Sequence, residues 1–230
     1  DIQAGFTYPC SKMLKALRQL VHINRLSILE GDVGSGKSVL VRLLAYDLIT
    51  QQPQAPVYFC GIKDHIQDLN YTVLRGEVER LTGLIIIEDI HLAARDIHQL
   101  LRDLSGEEKR TILLTTRAST RRDNHDGRGG MLENSLGLAP RLKITPDEDQ
   151  ISRIIDQFSS VNDIQLNSKD RLSIKKECKN NLWLLSYALM GCYDNRGKGN
   201  PLQWIAAGIK HDFEEIESAG CNPEIGRAHV

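Results

Sequence analysis

The sequence lacks any long apolar run and carries almost no net charge. None of its uninterrupted apolar stretches approaches the roughly 20 residues of a transmembrane helix. The 230 residues have a formal net charge of −1 at pH 7, so no overall field attracts nucleic acid or an anionic membrane. The first absence argues against a membrane protein. The second gives no indication of a nucleic-acid partner, although net charge does not rule out a local basic patch.

Cysteine is also scarce, and no two cysteines lie close together in the sequence. The chain has five, at Cys10, Cys60, Cys178, Cys192 and Cys221. They form no C-x-x-C pair, which argues against a zinc site and against a disulfide framework. Reduced thiols in a cytosolic protein are the simpler interpretation. Because the N-terminus lacks a signal-peptide pattern as well, we expect a cytoplasmic location.

Short apolar runs alternate with helix-length segments through the first two thirds of the chain. The runs predict strands at residues 26–29, 57–60, 84–87, 111–115 and 141–144, and the segments between them predict helices at residues 38–50, 63–81 and 92–104. The run 84–87 is apolar at every position, which is typical of a strand covered on both faces. This alternation predicts an α/β fold with a three-layer, parallel-sheet core and right-handed crossovers.

After residue 144 the pattern indicates helices alone. Thr145, Pro146 and Glu148 form a capping-box pattern in which Thr145 is the N-cap and Glu148 reaches back to it. Further helices are predicted at residues 169–178, 182–191 and 201–217, and a mobile loop at residues 119–130. The predicted organisation is a lead-in segment (1–24), an α/β core (25–145), a helical lid subdomain (146–218) and a tail (219–230). Residues 224–230 resemble a translated sequencing adapter, and we expect them to have no biological role.

Residues 31–38 match the pattern G-x-x-x-x-G-K-[ST] at every defined position. The glycines let the backbone curl so that successive N–H groups point towards a phosphate, and the following helix presents the positive end of its dipole. Lys37 supplies charge to the β- and γ-phosphates, and the Ser38 hydroxyl can coordinate Mg²⁺. The pattern predicts a nucleotide site that holds ATP or ADP, formed by Gly31, Asp32, Val33, Gly34, Ser35, Gly36, Lys37, Ser38 and the adjoining Val39.

Two carboxylates, Glu88 and Asp89, follow the buried run 84–87. Ligands of an open α/β sheet bind at the carboxyl ends of its strands, so this pair resembles a Walker B motif. In such a motif one carboxylate holds the Mg²⁺ shell and the other activates the attacking water. By position Glu88 serves the metal and Asp89 the water, and Ser38 completes the candidate Mg²⁺ ligands. Most such strands carry Asp first, so the longer Glu88 side chain could exchange these roles or weaken hydrolysis.

The strand predicted at residues 111–115 ends in polar residues at the same edge of the sheet. Thr115 and Thr116 could hydrogen-bond a phosphate or the attacking water, and Arg117 could sense the γ-phosphate charge. A strand that simply leaves the core accounts for the same residues nearly as well. The candidate catalytic residues are therefore Lys37, Glu88, Asp89 and Arg117.

These features together resemble the STAND class of P-loop ATPases, which are signal-transducing switches related to AAA+ proteins. Beyond the phosphate loop, Thr115-Thr116-Arg117 resembles the sensor segment of the NB-ARC branch. The strand at residues 141–144, followed by a capped helix, is similar to the last strand and first lid helix there. The resemblance covers most of residues 20–195.

The sequence departs from the STAND pattern at the Gly-x-Pro motif of the lid. Asn181 and Trp183 stand where that class has its glycine and proline. The resemblance therefore leaves the usual adenine contact open: Trp183 could stack on the base, or it could fill the core, as aromatic residues at helical spacing usually do.

The resemblance implies a switch that binds ATP and Mg²⁺ between sheet and lid and is reset by hydrolysis. Partner contacts, including a nucleotide-dependent homo-oligomer, would change with the nucleotide state. Effector or sensor domains would lie outside these residues. Two alternatives stay open. One is an AAA+-type motor acting on nucleic acid or protein, for which Arg121, Arg122 and Arg128 could supply an arginine finger. The other is a nucleotide-gated interaction module with little hydrolysis.

Overall fold

A computed structural model describes residues 11–61, 71–104, 110–117, 136–137, 139–195 and 199–218. The chain forms two compact units. One contains the sheet and its flanking helices, up to Ile144. The other contains the helices from Thr145 onwards together with the short segment Val33–Gly36. Among the described residues, no helix combines the length and apolarity needed to cross a bilayer.

The α/β unit is built on five parallel strands in the order β2-β3-β4-β1-β5. Its strands are β1 (Leu26–Gly31), β2 (Val57–Gly61), β3 (Gly83–Glu88), β4 (Arg110–Thr116) and β5 (Arg141–Ile144). Its helices are α1 (Ser11–Ile23), α2 (Lys37–Gln51), α3 (Tyr71–Arg80) and α4 (Ala94–Asp103), with a 3-10 turn at Ile90–Ala93. All five predicted strands are present, so the predicted α/β fold is confirmed.

Strand β3 shows why the sheet has three layers. Successive side chains of a strand point to opposite faces, and here both faces are apolar. Leu84 and Ile86 pack in one core, and Ile85 and Ile87 pack in the other. The first core is completed by α1 and α2 and the second by α3 and α4: Leu17, Val21, Leu40 and Leu44 in the first, and Val78, Ile97 and Leu100 in the second.

The helical unit packs four helices around a core of its own. They are α5 (Glu148–Val161), α6 (Ser168–Cys178), α7 (Leu182–Asp194) and α8 (Pro201–Ser218). Each contributes buried apolar side chains, which include Ile151, Ile155, Ile174, Leu185, Leu189 and Trp204. Asn200 caps α8, since its side-chain oxygen accepts the Leu202 N–H at 2.9 Å.

One prediction about helices was wrong, and one helix was not predicted. The N-cap of α5 is Asp147, whose side chain accepts the Gln150 N–H at 2.7 Å, instead of Thr145. Both residues precede the acidic first turn of the helix. Asp147 comes immediately before it, and its carboxylate reaches the N–H three residues further on, as an N-cap does. The lead-in segment, for which no element was predicted, contains the helix α1.

Several predictions fall outside the described residues. These are the mobile loop at 119–130 with Arg121, Arg122 and Arg128, the tail at 219–230, and the first part of the helix predicted at 63–81.

Candidate nucleotide-binding site

The phosphate loop connects β1 to α2. Strand β1 ends at Gly31 and α2 begins at Lys37, so the motif lies at the carboxyl end of a strand paired on both sides. Gly34 has a φ of 73°, a left-handed conformation that glycine adopts without steric cost. The Ser35 hydroxyl is buried and has no hydrogen-bond partner among the described residues. A curled loop with an unsatisfied buried hydroxyl fits a polar ligand.

Lys37 is buried and turned back on its own loop. Its Nζ donates to the Gly31 carbonyl at 2.8 Å and to the Asp32 carbonyl at 3.0 Å. Burial lowers the pKa of Lys37, the carboxylate of Asp89 opposes that shift, and the charge of Arg117 reinforces it. Because only nearby charges have such effects, Asp89 and Arg117 both lie within electrostatic reach of the Lys37 ammonium group.

Glu88 ends β3 and is 8% exposed. Its carboxylate pairs with Arg42 of α2, at 3.3 Å between Nη2 and Oε2. The same guanidinium group donates to the Ser38 carbonyl at 2.9 Å. One arginine therefore links the main chain of Ser38, a candidate metal ligand, to the first carboxylate of the acidic pair.

Asp89 occupies a left-handed backbone conformation, with φ 55° and ψ 43°, which Asp tolerates better than most residues. Its N–H donates to the Thr115 hydroxyl at 3.0 Å. This hydrogen bond ties the ends of β3 and β4 together. Thr116 is buried at the end of β4, and the half-buried Arg117 follows it.

The oxygen donors of the α/β unit fit a magnesium ion. Mg²⁺ prefers carboxylate and hydroxyl oxygens and is usually held by one or two carboxylates together with substrate phosphates. Glu88 and Asp89 are consecutive, and Arg42 contacts both the Glu88 carboxylate and the Ser38 carbonyl. Ser38 and Asp32 are exposed, as is Val39, whereas Gly31, Ser35 and Lys37 are buried.

The middle of the phosphate loop, Val33–Gly36, belongs to the helical unit. There it contacts the start of α7: the Leu182 N–H donates to the Gly34 carbonyl at 2.8 Å, and Asn181 Nδ2 donates to the Val33 carbonyl at 3.3 Å. Sequence reasoning missed these contacts and the Arg42 pair, because each joins residues far apart in the chain. Only the STAND pattern drew attention to residue 181.

Trp183 is half-buried and packs against a neighbour on its own helix. Its ring lies 5.2 Å from that of Tyr187, measured between centroids, at an interplanar angle of 54°. Such tilted pairs stabilise by their edge-to-face electrostatics. The geometry accounts for Trp183 within the helical unit, and whether it also meets a base stays a prediction.

No family model and no curated protein matches the sequence. Solved structures, in contrast, resemble this fold. A Walker-type ATPase of Pyrococcus abyssi matches with a TM-score of 0.67 at 11% identity, over 93% of this chain and 76% of that one. Domain III of the replication initiation protein DnaA of Thermotoga maritima matches with a TM-score of 0.58 at 15% identity, over 89% and 93%. The Aeropyrum pernix ORC1 protein, in complex with DNA, matches with a TM-score of 0.61 at 15% identity, over 90% and 67%.

The chain has the P-loop NTPase fold of AAA+ ATPases. The likeness extends over both units, since each comparison covers about nine tenths of the chain. It does not single out the STAND class, so that narrower resemblance stays a hypothesis. At 11–15% identity the comparisons establish the fold alone, and the activity has to be argued from the residues.

Proposed function

We propose that this chain binds ATP and hydrolyses it as the nucleotide-binding module of an AAA+-type ATPase. The observation that supports this most strongly is the environment of Lys37. The lysine begins the helix after a complete phosphate-loop motif, and its pKa responds to both Asp89 and Arg117. The motif lysine, a second cation and a carboxylate lying close together suit a polyphosphate and its reaction.

The proposed roles follow from the contacts of each residue. The N–H groups of residues 33–36 bind the phosphates, and Lys37 leaves the Gly31 and Asp32 carbonyls to donate to the β- and γ-phosphates. Arg117 stabilises negative charge that develops on the γ-phosphate. Thr116, buried at the same strand end, is proposed to bind the phosphate as well.

Asp89 is proposed as the residue that orients the attacking water and accepts its proton. Its backbone is fixed by the Thr115 hydroxyl, so its carboxylate is held at the strand end where the γ-phosphate is expected. Ser38 and Glu88 would hold Mg²⁺, which when bound neutralises phosphate charge. Because Glu88 is buried against Arg42, its charge is compensated within the protein, and Asp89 is the better candidate for the water.

The test separates binding from turnover. In Asp89→Asn we expect phosphate release to fall by about 100-fold or more, since a positioned general base contributes at least that much. The affinity for Mg-ATP should stay within about threefold of wild type. Asn also tolerates the left-handed conformation, so the backbone should not change.

Asp163→Asn is the matched control, because Asp163 is exposed and has a φ of 52°. It should release phosphate at the wild-type rate. Equal rates in wild type and Asp89→Asn would remove the proposed role of Asp89. A wild-type protein that binds Mg-ATP without measurable turnover would favour a nucleotide-gated module with little hydrolysis.

A motor that acts on nucleic acid is a second candidate. It is supported by two comparison structures, one named as a replication initiation protein and one in complex with DNA. It predicts that duplex DNA raises the rate of ATP hydrolysis, with a steep loss of the effect as salt increases. A rate of ATP hydrolysis that DNA does not change at low salt would argue against the motor and leave the STAND-like switch. That hypothesis is supported by the resemblance of residues 115–117 to the sensor segment of the NB-ARC branch.

A further inference from the structure

The start of α7 has no unsatisfied backbone donor. A helix leaves its first four N–H groups without partners inside the helix, and here all four, from the cap residue Asn181 to Leu184, are bonded. Asn181 donates to the Cys178 carbonyl and Leu182 to the Gly34 carbonyl, each at 2.8 Å, and Trp183 and Leu184 donate to Asn181 Oδ1 at 2.9 and 3.1 Å. The helix therefore begins directly on the loop.

Asn181 uses the two ends of its amide for two different purposes. Its oxygen caps α7, and its nitrogen donates to the Val33 carbonyl at 3.3 Å. A serine or aspartate could make the first contact equally well, but neither could donate an N–H to the loop. The amide is what joins the cap of the helix to the phosphate loop.

The two hydrogen bonds from the start of α7 to the carbonyls of Val33 and Gly34 fix two peptide planes of the loop. In a trans peptide the C=O and the following N–H lie in one plane and point in opposite directions. A donor on the Val33 carbonyl therefore orients the N–H of Gly34, and a donor on the Gly34 carbonyl orients the N–H of Ser35. Both N–H groups are directed away from α7. They are two of the donors with which a phosphate loop holds its anion.

Gly34 shows how closely the amide approaches the loop. A Cβ atom at this position would lie 2.1 Å from Asn181 Oδ1, and the φ of 73° already disfavours any side chain. Gly34 is not one of the defined positions of the phosphate-loop pattern, so the motif itself does not require glycine there. The contact with Asn181 supplies a reason for it.

We propose that Asn181 is a positioning residue for the phosphate loop, orienting the N–H groups of Gly34 and Ser35 for a bound polyphosphate. This inference rests on the proposed nucleotide function and deepens it. Through Asn181 the helical unit contributes to phosphate binding without touching the nucleotide. The fully bonded N-terminus of α7 holds the loop and is not itself the anion site.

The test compares serine substitutions at two helix caps. Asn181→Ser keeps a capping oxygen and removes the amide nitrogen that donates to the Val33 carbonyl. Asn167→Ser makes the same change at α6, where the Asn167 side chain caps the Asp170 N–H at 2.9 Å. Titration calorimetry with Mg-ATP should show affinity about 3- to 10-fold weaker in Asn181→Ser, the equivalent of one lost hydrogen bond. Asn167→Ser should bind like wild type.

A second readout does not depend on the nucleotide. In the free protein, amide hydrogen exchange of the peptide covering residues 31–38 should be faster in Asn181→Ser than in wild type or Asn167→Ser, because the loop loses one of its two anchors. Asn181→Asp keeps the cap with an isosteric side chain and should also speed this exchange. Asn181→Asp therefore replaces Asn181→Ser in the exchange measurement if the serine variant folds poorly.

The outcomes separate the inference from the function on which it rests. Wild-type affinity and wild-type exchange in Asn181→Ser would overturn the positioning role and leave the proposed function intact. Equal losses in Asn181→Ser and Asn167→Ser would assign the effect to the stability of the helical unit and overturn the inference too. A wild-type protein that does not bind Mg-ATP would overturn the proposed function itself.

Discussion

Lys37, Glu88 and Asp89 each have different partners in the folded protein. Lys37 is buried and bonded to two carbonyls of its own loop. Glu88 is buried against Arg42, whereas the carboxylate of Asp89 raises the pKa of Lys37 and so opposes the effect of burial. The motif spacing predicted which residues to consider. It could not predict Arg42, because an arginine one turn into α2 is marked by nothing in the sequence and meets its partner only in the folded sheet.

The lowered pKa of Lys37 has a consequence for stability. Because burial favours the neutral amine, the native state binds fewer protons than the unfolded chain between the lowered pKa and the ordinary value of 10.5. Stability contributed by this group therefore rises with pH in that range. We expect the free energy of unfolding of wild type, relative to Lys37→Met, to increase as the pH rises towards 10.5.

Urea denaturation at a series of alkaline pH values measures this difference. The same series with Lys12→Met, which removes an exposed lysine of α1, corrects for the loss of one charge. A difference between wild type and Lys37→Met that stays flat, or that falls with pH, would contradict the burial of the ammonium group.

At the scale of elements, the strands were the most predictable feature. Runs such as 84–87 are apolar at every position because both faces of β3 are covered by helices, and a short run of this kind is typical of a strand in a parallel sheet. Helix ends were less predictable, because several nearby residues can cap the same helix. The helix α1 was missed, although its buried residues Leu17 and Val21 are spaced four apart on one face.

The cap of α5 gives a test at this scale. Asp147→Ala removes the acceptor of the Gln150 N–H and should destabilise the protein by about 1 kcal/mol, as is typical for a lost N-cap. Thr145→Ala removes the residue that the sequence favoured and should change stability by less than about 0.5 kcal/mol. Thermal or urea unfolding measures both. A larger effect at Thr145 than at Asp147 would restore the original capping box.

At the scale of the whole molecule, the alternation of strands and helices predicted the fold class but not the strand order. The order β2-β3-β4-β1-β5 sets which strand ends are neighbours, and it brings β3 beside β4 so that Asp89 meets Thr115. Long-range contacts of this kind depend on topology, which residue spacing does not encode. The same applies to Asn181, which reaches Val33 across 148 positions of sequence.

We propose above all that residues 31–38 hold a polyphosphate through Lys37. The decisive measurement is calorimetric titration of Mg-ATP into wild type, Lys37→Ala and the exposed-lysine control Lys12→Ala. We expect binding by wild type and Lys12→Ala, and an affinity at least about 30-fold weaker in Lys37→Ala, because charge-assisted bonds to phosphate are lost. Equal affinity in wild type and Lys37→Ala, or no binding by wild type, would contradict it.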